Sequence, residues 1–174
     1  MARKKKYNQM ITTPFETGIR NFPSVAKFFL YYAPCIDSAQ TQGEYDEKTA
    51  DRVLKEMISA AELKDKARIL KRIQRKSWQI SGFDTEELDF EDSRLLCDQY
   101  SKETELHALL RHIRNALAHG YIYVWRKQGK TKGDYVFLVD HDSTKKRDTA
   151  KIMVSMTILE TWKAILENQI ALGE

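Results

Sequence analysis

Apolar residues recur every three or four positions in five segments of the chain, a spacing that places them on one face of an α-helix. The five predicted helices cover residues 21–34, 46–63, 64–80, 102–118 and a last segment that begins at about Thr157. Pro23 suits the first turn of the first helix, and Thr157 and Glu160 have the spacing of a capping box at the start of the last one. Residues 84–105 are acidic and indicate a mixture of helix and loop.

The hydrophobic period changes from helical to alternating after Gly120. The segments "YIYVWRKQ" and "YVFLVDHD" alternate between two faces, as β-strands do, and "GKTKGD" between them is typical of a turn. They predict a β-hairpin over about residues 121–142, and "KIMVS" predicts a short strand before the last helix. The predicted fold is mainly α, with this small β-hairpin inserted before the C-terminal helix. One domain would cover residues 13–174, after a flexible basic arm at residues 1–12.

Composition and charge narrow the class of protein only moderately. The 174 residues include 29 basic and 25 acidic side chains, so the formal net charge of +4 permits a nucleic-acid partner without requiring one. No apolar run is long enough to span a bilayer, and no apolar segment of signal-peptide length follows the basic N-terminus. The two cysteines lack the number and spacing of a disulfide framework or a zinc site. We therefore expect a cytoplasmic protein with no cofactor and no membrane partner.

The helix predicted over residues 102–118 carries more polar side chains near its end than a core-facing helix needs. Its core face is a continuous stripe made of Leu106, Leu109, Leu110, Ile113 and Leu117. His112, Asn115 and His119 form a second stripe, Arg114 lies at the flank, and Gly120 is placed to cap the helix. A water-facing surface would explain any one of these side chains. Asn115 is harder to explain in that way, because asparagine is a poor helix former.

The same side chains are also the components of a phosphodiester-cleaving site that needs no metal. Histidine transfers protons near neutral pH, arginine binds phosphate oxygens, and asparagine orients either group by hydrogen bonding. A zinc site is not indicated, because no two histidines of this helix have the i, i+4 spacing. The "DHD" triplet at residues 140–142 could contact a cation, although such triplets are usually solvated. Two copies of the helix, packed closely through Ala108 and Ala118, would pool two of each residue.

A dense run of basic residues offers a place to bind RNA. Seven of the thirteen residues in 64–76 are basic and one is acidic, a density suited to a phosphate backbone. The candidate RNA-binding residues are Lys64, Lys66, Arg68, Lys71, Arg72, Arg75, Lys76 and, on the later helix, Arg111. A solvated helix face that pairs with the acidic residues 84–105 is the alternative. The N-terminal arm and residues 145–147 are weaker candidates of the same kind.

The stretch "RNALAHGY" resembles the signature of the HEPN (higher eukaryotes and prokaryotes nucleotide-binding) domains. That signature is an arginine, four to six variable residues and a histidine, often with asparagine directly after the arginine; here these are Arg114, Asn115 and His119. The resemblance implies a bundle of four or five helices that dimerises so that two signatures share one cleft. It also implies a metal-independent endoribonuclease that leaves cyclic 2′,3′-phosphate ends, in a toxin–antitoxin or phage-defence system. His119 would move the proton, Arg114 would stabilise the phosphate charge, and Asn115 would position them.

Tyr121 follows His119 by two positions, as in HEPN toxins that are paired with a nucleotidyltransferase antitoxin. The resemblance implies that such a partner could modify Tyr121 and silence the nuclease. Alternatively, Tyr121 belongs to the aromatic face of a strand with Tyr123 and Trp125, since strands favour such residues. Two other classes of function stay open: a catalytically inactive HEPN-like binding or adaptor module, and a helical interaction protein in which the motif occurs by chance.

Overall fold

The computed structural model describes residues 10–11, 18–33, 45–83, 93–127 and 133–173 of the chain. In chain order these form β1 (Met10–Ile11), α1 (Phe22–Tyr31), α2 (Glu47–Ala60), β2 (Ala67–Leu70), α3 (Arg75–Ile80), β3 (Arg94–Asp98), α4 (Glu105–His119), β4 (Ile122–Lys127), β5 (Gly133–Asp142), β6 (Arg147–Ser155) and α5 (Met156–Gly173). Among these residues, no helix is both long and apolar enough to cross a bilayer.

A six-stranded mixed sheet is the centre of the fold, with strand order β1-β4-β5-β6-β3-β2. The strands β2 and β3 run parallel, and all other neighbours run antiparallel. The predicted hairpin is present, with Ile122 paired to Leu138. It is not an insert, however, because β5 and β6 occupy the middle of the sheet. The prediction of a mainly α bundle is therefore wrong, and the fold is a layer of helices on a mixed sheet.

The helix predicted over residues 64–80 is also wrong, because this segment forms β2 and then the six-residue α3. Its apolar residues do not share one face. Ile69 packs into the core on the helix side of the sheet, whereas Leu70 and Ile73 pack on the opposite side. An extended backbone sends neighbouring side chains to opposite faces, so a stripe that looked helical in the sequence is divided between two clusters.

The main core lies between the sheet and the helices α1, α2, α4 and α5. Helix α4 is central, since it contacts α1, α2 and several strands. The fully buried Trp162 of α5 adds a polar link by donating an indole hydrogen bond to the Met57 carbonyl at 2.9 Å. A smaller cluster made of Ile73, Phe83, Leu96, Phe137 and Met153 covers the other face of the sheet, with Trp78 of α3 packed against it.

Three features of helix ends were predicted from the sequence, and the structure confirms two of them and contradicts the third. Pro23 is in the first turn of α1, and Gly120 ends α4 in the left-handed conformation with φ of 74°, so both predictions are confirmed. The capping box at Thr157 and Glu160 is wrong, because α5 begins one residue earlier. Ser155 caps it, its hydroxyl accepting from the Ile158 N–H at 3.3 Å.

Part of the predicted basic arm contributes to the sheet. Met10 and Ile11 pair with Tyr123 and Ile122 of β4. The rest of the arm at residues 1–9 and 12 lies outside the described residues, as do residues 34–44 and residues 84–92 of the acidic segment.

Candidate active site at the end of helix α4

Helix α4 is buried on more than one side. The predicted core face of Leu106, Leu109, Leu110, Ile113 and Leu117 is buried as expected. Ala108 and His112 of the second stripe are also completely buried, and they face the protein's own interior. Only the last turn of that stripe reaches the surface, where Ala118 and His119 are exposed and Asn115 is partly exposed. A second copy could therefore contact the end of α4 but not the length of this stripe.

His112 is the centre of a buried polar network between α4 and the sheet. Its Nδ1 lies 2.6 Å from Oδ2 of Asp140 in β5, and its Nε2 lies 2.8 Å from the main-chain carbonyl oxygen of Asp98 in β3. Both oxygens are acceptors, so both ring nitrogens must donate. A guanidinium nitrogen of Arg111 is 3.5 Å from Nδ1, too distant to compete with the carboxylate. His112 is therefore an imidazolium.

The balance of charges agrees with this assignment. Three carboxylates (Asp98, Glu103 and Asp140) face three cations (Arg111, His112 and Arg147) in contacts of 2.6 to 3.7 Å. Burial lowers the pKa of His112, but its hydrogen bonds to Asp140 and Asp98 outweigh burial and leave the pKa above its ordinary value. Burial raises the pKa of Asp140, but the bonds from His112 and Asn115 outweigh it and leave that pKa below its ordinary value.

Asn115 connects this network to the surface. Its side-chain nitrogen donates to Oδ2 of Asp140 at 3.2 Å, the oxygen that also accepts from His112. The amide is fixed in one orientation, because a carboxylate can only accept. The amide oxygen of Asn115 is consequently left to accept a hydrogen bond from another group. The anchoring carboxylate belongs to a strand, so the sheet determines the position of this helical side chain.

Arg114 and His119 are the two side chains of the signature that no other side chain in the described part of the chain holds in place. Arg114 is partly exposed and His119 is exposed, and neither makes a hydrogen bond or ion pair with another residue in the described part of the chain. Five positions separate them, which places them about 140° apart around the helix axis. In a single copy of α4, Arg114 and His119 thus lie on different sides of Asn115.

Arg111 is held in the buried network and is poorly placed to bind RNA. Its guanidinium makes a two-pronged ion pair with Glu103, at 2.8 and 2.9 Å, and stacks 4.1 Å from the centre of the Tyr100 ring. Only 11% of its side chain is exposed. Burial lowers the pKa of Arg111, but Glu103 outweighs burial and the pKa is raised. The charge of Arg111 is therefore matched within the protein.

The other predicted RNA-binding residues are at the surface, although they do not lie on one helix. The exposed set is Lys64, Lys66, Arg68, Lys71, Arg72, Arg75 and Lys76. They lie in and beside the edge strand β2 and at the start of α3. Lys71 also lines a cavity of about 670 Å³ together with Glu47, Asp51 and Glu105. That cavity lies at the N-terminal end of α4, and its carboxylates are unsuited to a phosphate backbone.

Two titratable groups follow α4 in the chain and contact each other, Tyr121 just before β4 and His141 in β5. Tyr121 has 37% of its surface exposed, and the edge of its ring contacts the His141 imidazole at a centroid distance of 6.2 Å. His141 in turn lies 3.0 Å from Asp148 on the neighbouring strand β6, measured from Nδ1 to Oδ1. The "DHD" triplet is divided, since Asp140 is buried while the partly exposed Asp142 accepts from the main-chain N–H groups of Thr144 and Lys145. No group of three His, Cys, Asp or Glu residues in the described ranges is arranged to hold a metal ion.

Sequence reasoning identified the surface groups of this site but missed Asp98, Asp140 and the burial of His112. One signal was available. Val136, Leu138 and Asp140 alternate along a strand, so Asp140 takes an inward position and needs a buried partner. For Asp98 no comparable pattern exists, because it follows a run of buried residues that does not alternate; its main-chain carbonyl and its carboxylate Oδ1, 3.2 Å from Nε2, both contact the imidazole.

Comparison with known proteins adds one family. Residues 46–169 match the family model described as HEPN pEK499 p136. The match covers α2, α3, α4, most of α5 and all strands except β1, and it includes Arg114, Asn115 and His119. No curated protein and no solved structure matches the chain.

Proposed function

Because the chain belongs to the HEPN family, we propose that it is a metal-independent endoribonuclease with Arg114, Asn115 and His119 in its active site. One observation carries the proposal. Asn115 is anchored to the buried Asp140, while Arg114 and His119 beside it are accessible and unpaired within the described residues. A helix surface that served only to contact water would not need a buried carboxylate to orient one of its amides.

The chemistry follows from the three side chains. His119 accepts the proton of a ribose 2′-hydroxyl, whose oxygen attacks the neighbouring phosphorus. Arg114 stabilises the negative charge that grows on the phosphate oxygens. Asn115 presents its amide oxygen as an acceptor that orients Arg114, His119 or the attacking hydroxyl. The products are a cyclic 2′,3′-phosphate and a 5′-hydroxyl, so DNA is not a substrate.

The working form is a homodimer in which two ends of α4 share one cleft. The angle between Arg114 and His119 supports this proposal, because one copy does not direct both groups at one phosphate. Ala118 in the same turn is exposed and small, so it permits close approach of a second helix. RNA approaches along the exposed basic residues of β2 and α3.

A toxin–antitoxin or phage-defence system is the proposed biological context. Tyr121 is accessible and lies directly after the helix cap. A nucleotidyltransferase antitoxin that modified its hydroxyl would add a bulky anion beside His119 and block RNA. The protein acts in the cytoplasm in this proposal.

A catalytically inactive binding module is the second candidate. The observation in its favour is that Arg114 and His119 make no contact with each other in one copy. A module of this kind would use the same helix end to bind a nucleotide or a partner without cutting.

The test is incubation of the purified protein with mixed cellular RNA in EDTA, beside a His119→Ala variant. The ribonuclease proposal expects cutting by the parent, cyclic phosphate ends and no cutting by the variant. Folded dimers of both proteins that cut nothing would favour the binding module instead.

A further inference from the structure

We infer that His141, oriented by Asp148, is a second acid–base residue of the proposed active site and protonates the leaving 5′-oxygen. The inference rests on the proposed function and deepens it. Cleavage by 2′-hydroxyl attack needs a base at one end of the phosphate and an acid at the other. The signature on α4 supplies one histidine per chain, and β5 supplies this second one a short distance along the sequence.

The pairing of His141 with Asp148 fixes which ring nitrogen is available. Asp148 Oδ1 accepts from Nδ1 at 3.0 Å, so the Nδ1 proton is held in this hydrogen bond. In the described part of the chain Nε2 has no hydrogen-bond partner, and 35% of the His141 side chain is exposed. Lys151 balances the same carboxylate, with its Nζ 3.3 Å from Asp148 Oδ2. A histidine held through Nδ1 and open at Nε2 is in the arrangement that catalytic histidines use.

The backbone around His141 also has the form expected of a site residue. The pairing of β5 with β6 shifts register between Asp140 and His141. Such β-bulges re-aim side chains and are common next to active sites. Here the extra residue is Thr149 of β6, and the shift places Asp148 opposite His141. Asp140 reaches inward to fix Asn115, and His141 reaches the surface.

Three contacts bring His141 to the end of α4. Its ring contacts Tyr121, which is two residues beyond His119. The carbonyl of Tyr121 accepts from the Val139 N–H at 3.0 Å, which holds the start of β4 against β5. Asp140, the residue before His141, is hydrogen-bonded to Asn115. These contacts join the two chain segments that carry the histidines, the end of α4 with His119 and β5 with His141.

The proposed step is balanced in protons and bonds. His119 takes the 2′-hydroxyl proton while the O2′–P bond forms. The P–O5′ bond breaks, and the 5′-oxygen takes a proton from Nε2 of His141. The reaction ends with His119 protonated and His141 neutral, and exchange with water restores both.

A modified substrate separates this role from a structural one. In an RNA whose cleaved linkage carries sulfur in place of the 5′-bridging oxygen, the leaving group is a thiolate that needs no proton. His141→Ala should slow cleavage of ordinary RNA by about 10²- to 10⁴-fold and restore most of the parent rate on the sulfur substrate. His119→Ala should be slow on both. Asp148→Asn should show the His141→Ala pattern in weaker form, and Lys55→Ala on the exposed side of α2 is the matched surface control.

Two outcomes of the cleavage assay would overturn the inference while leaving the ribonuclease proposal intact. One is a His141→Ala variant that cuts ordinary RNA as fast as the parent. The other is a variant equally impaired on both substrates, which would mean that His141 supports structure or binding.

A binding measurement distinguishes failure of the inference from failure of the proposed function. The imidazole ¹⁵N signals of His119 and His141 are followed while a 2′-deoxy dinucleotide is added to the parent. The inference expects both signals to shift together. If the parent cuts RNA and only the His119 signal shifts, His141 is not in the site. If both shift and no RNA is cut, the ribonuclease proposal and the acid role fail together, and His141 is a binding group.

Discussion

At the scale of single residues, His112 combines complete burial with a full positive charge. The charge is tolerated because Asp140 and the Asp98 carbonyl occupy both ring nitrogens. A buried ion pair of this kind costs more to break than it contributes when intact, since removal of one partner leaves the other charged and unsolvated. The network therefore fixes the arrangement of α4 on the sheet more than it adds net stability.

Truncation of His112 tests this description. His112→Ala should lower the free energy of unfolding by roughly 3–5 kcal/mol, because Asp140 is left charged and buried. Asp140→Asn added to His112→Ala should recover part of that loss, giving a positive coupling in a double-mutant cycle measured by urea unfolding. Additive effects of the two substitutions would contradict a direct ion pair.

The pH dependence of stability follows from the direction of two pKa shifts. The pKa of His112 is raised above its ordinary value of 6.5, so its contribution is complete below 6.5 and is lost as the pH rises through the raised value. The pKa of Asp140 is lowered below 3.8, so its contribution is complete above 3.8 and is lost as the pH falls through the lowered value. The pair should stabilise the fold most between these ordinary values.

Urea titrations across this pH range check the expectation. The parent should lose stability as the pH is raised above 6.5, and His112→Gln should lack that part of the slope. Equal slopes for the two proteins would mean that His112 is neutral in the native state.

At the scale of single residues, the sequence does not show which part of the molecule each polar side chain of α4 faces. Helical spacing identified His112, Asn115 and His119 as one stripe, and they do lie along one side of α4. Spacing alone does not say whether a stripe faces water or a sheet. Because the predicted fold treats the hairpin of about residues 121–142 as an insert and KIMVS as a short strand, it contains no sheet that could bury the stripe.

At the scale of secondary-structure elements, the errors have a common cause. Strand β2 has four residues, too few to show a period of two, and its ARIL sequence continues the apparent helical spacing of Ile73. Strand β3 carries consecutive buried residues at Leu95, Leu96 and Cys97, because both faces of the sheet are covered there. A short apolar run without alternation cannot be assigned from periodicity. The longer strands β4 and β5 are predicted correctly because alternation persists along them, whereas only the KIMVS half of β6 is predicted.

The start of α5 allows a matched test of capping. Ser155→Ala should lower the free energy of unfolding by about 1 kcal/mol, because the Ile158 N–H loses its side-chain acceptor. Thr157→Ala should have a smaller effect, since Thr157 is exposed and caps nothing. Thermal unfolding of the two variants beside the parent decides between Ser155 and the capping box expected from sequence. A larger loss for Thr157→Ala would restore the capping box.

The basic segment after β2 is predicted to track the RNA backbone. Removal of Lys71, Arg72 and Arg75 together should weaken RNA binding and flatten its salt dependence, by about 0.7 in logarithmic slope for each lost phosphate contact. The matched control removes Lys27, Lys55 and Lys163, which carry the same total charge on the helix side. Fluorescence anisotropy at several salt concentrations provides the measurement. Equal losses in both triple variants would indicate a general charge effect.

At the scale of the whole molecule, the sheet and α4 form one structural unit that positions the candidate site. The sheet buries the polar side of α4, fixes Asn115 through Asp140, and leaves the last helical turn at the surface. The HEPN family model covers α4 and every strand of this sheet except β1. The family could be named from a six-residue motif, whereas the sheet could not, because strand order and burial depend on contacts between segments that are distant in the sequence.

A shared cleft between two copies predicts complementation. Arg114→Ala and His119→Ala should each be inactive alone, whereas an equal mixture that has exchanged subunits should regain cutting, because mixed dimers contain one intact copy of each residue. Sedimentation velocity tests whether the parent and both variants are dimers, as a shared cleft requires. A mixture as inactive as its components, from proteins that sediment as monomers, would contradict a composite site.

The most direct measurement uses one RNA oligonucleotide in two forms, identical except for a single 2′-deoxy sugar at the position where the parent cuts. In EDTA, the parent should cleave the all-ribose form to a cyclic 2′,3′-phosphate, identified by mass, and leave the deoxy linkage intact. His119→Ala should cleave neither form, and Lys55→Ala should behave as the parent. Cleavage at the deoxy linkage, or an unchanged rate in His119→Ala, would contradict a ribonuclease site at the end of α4.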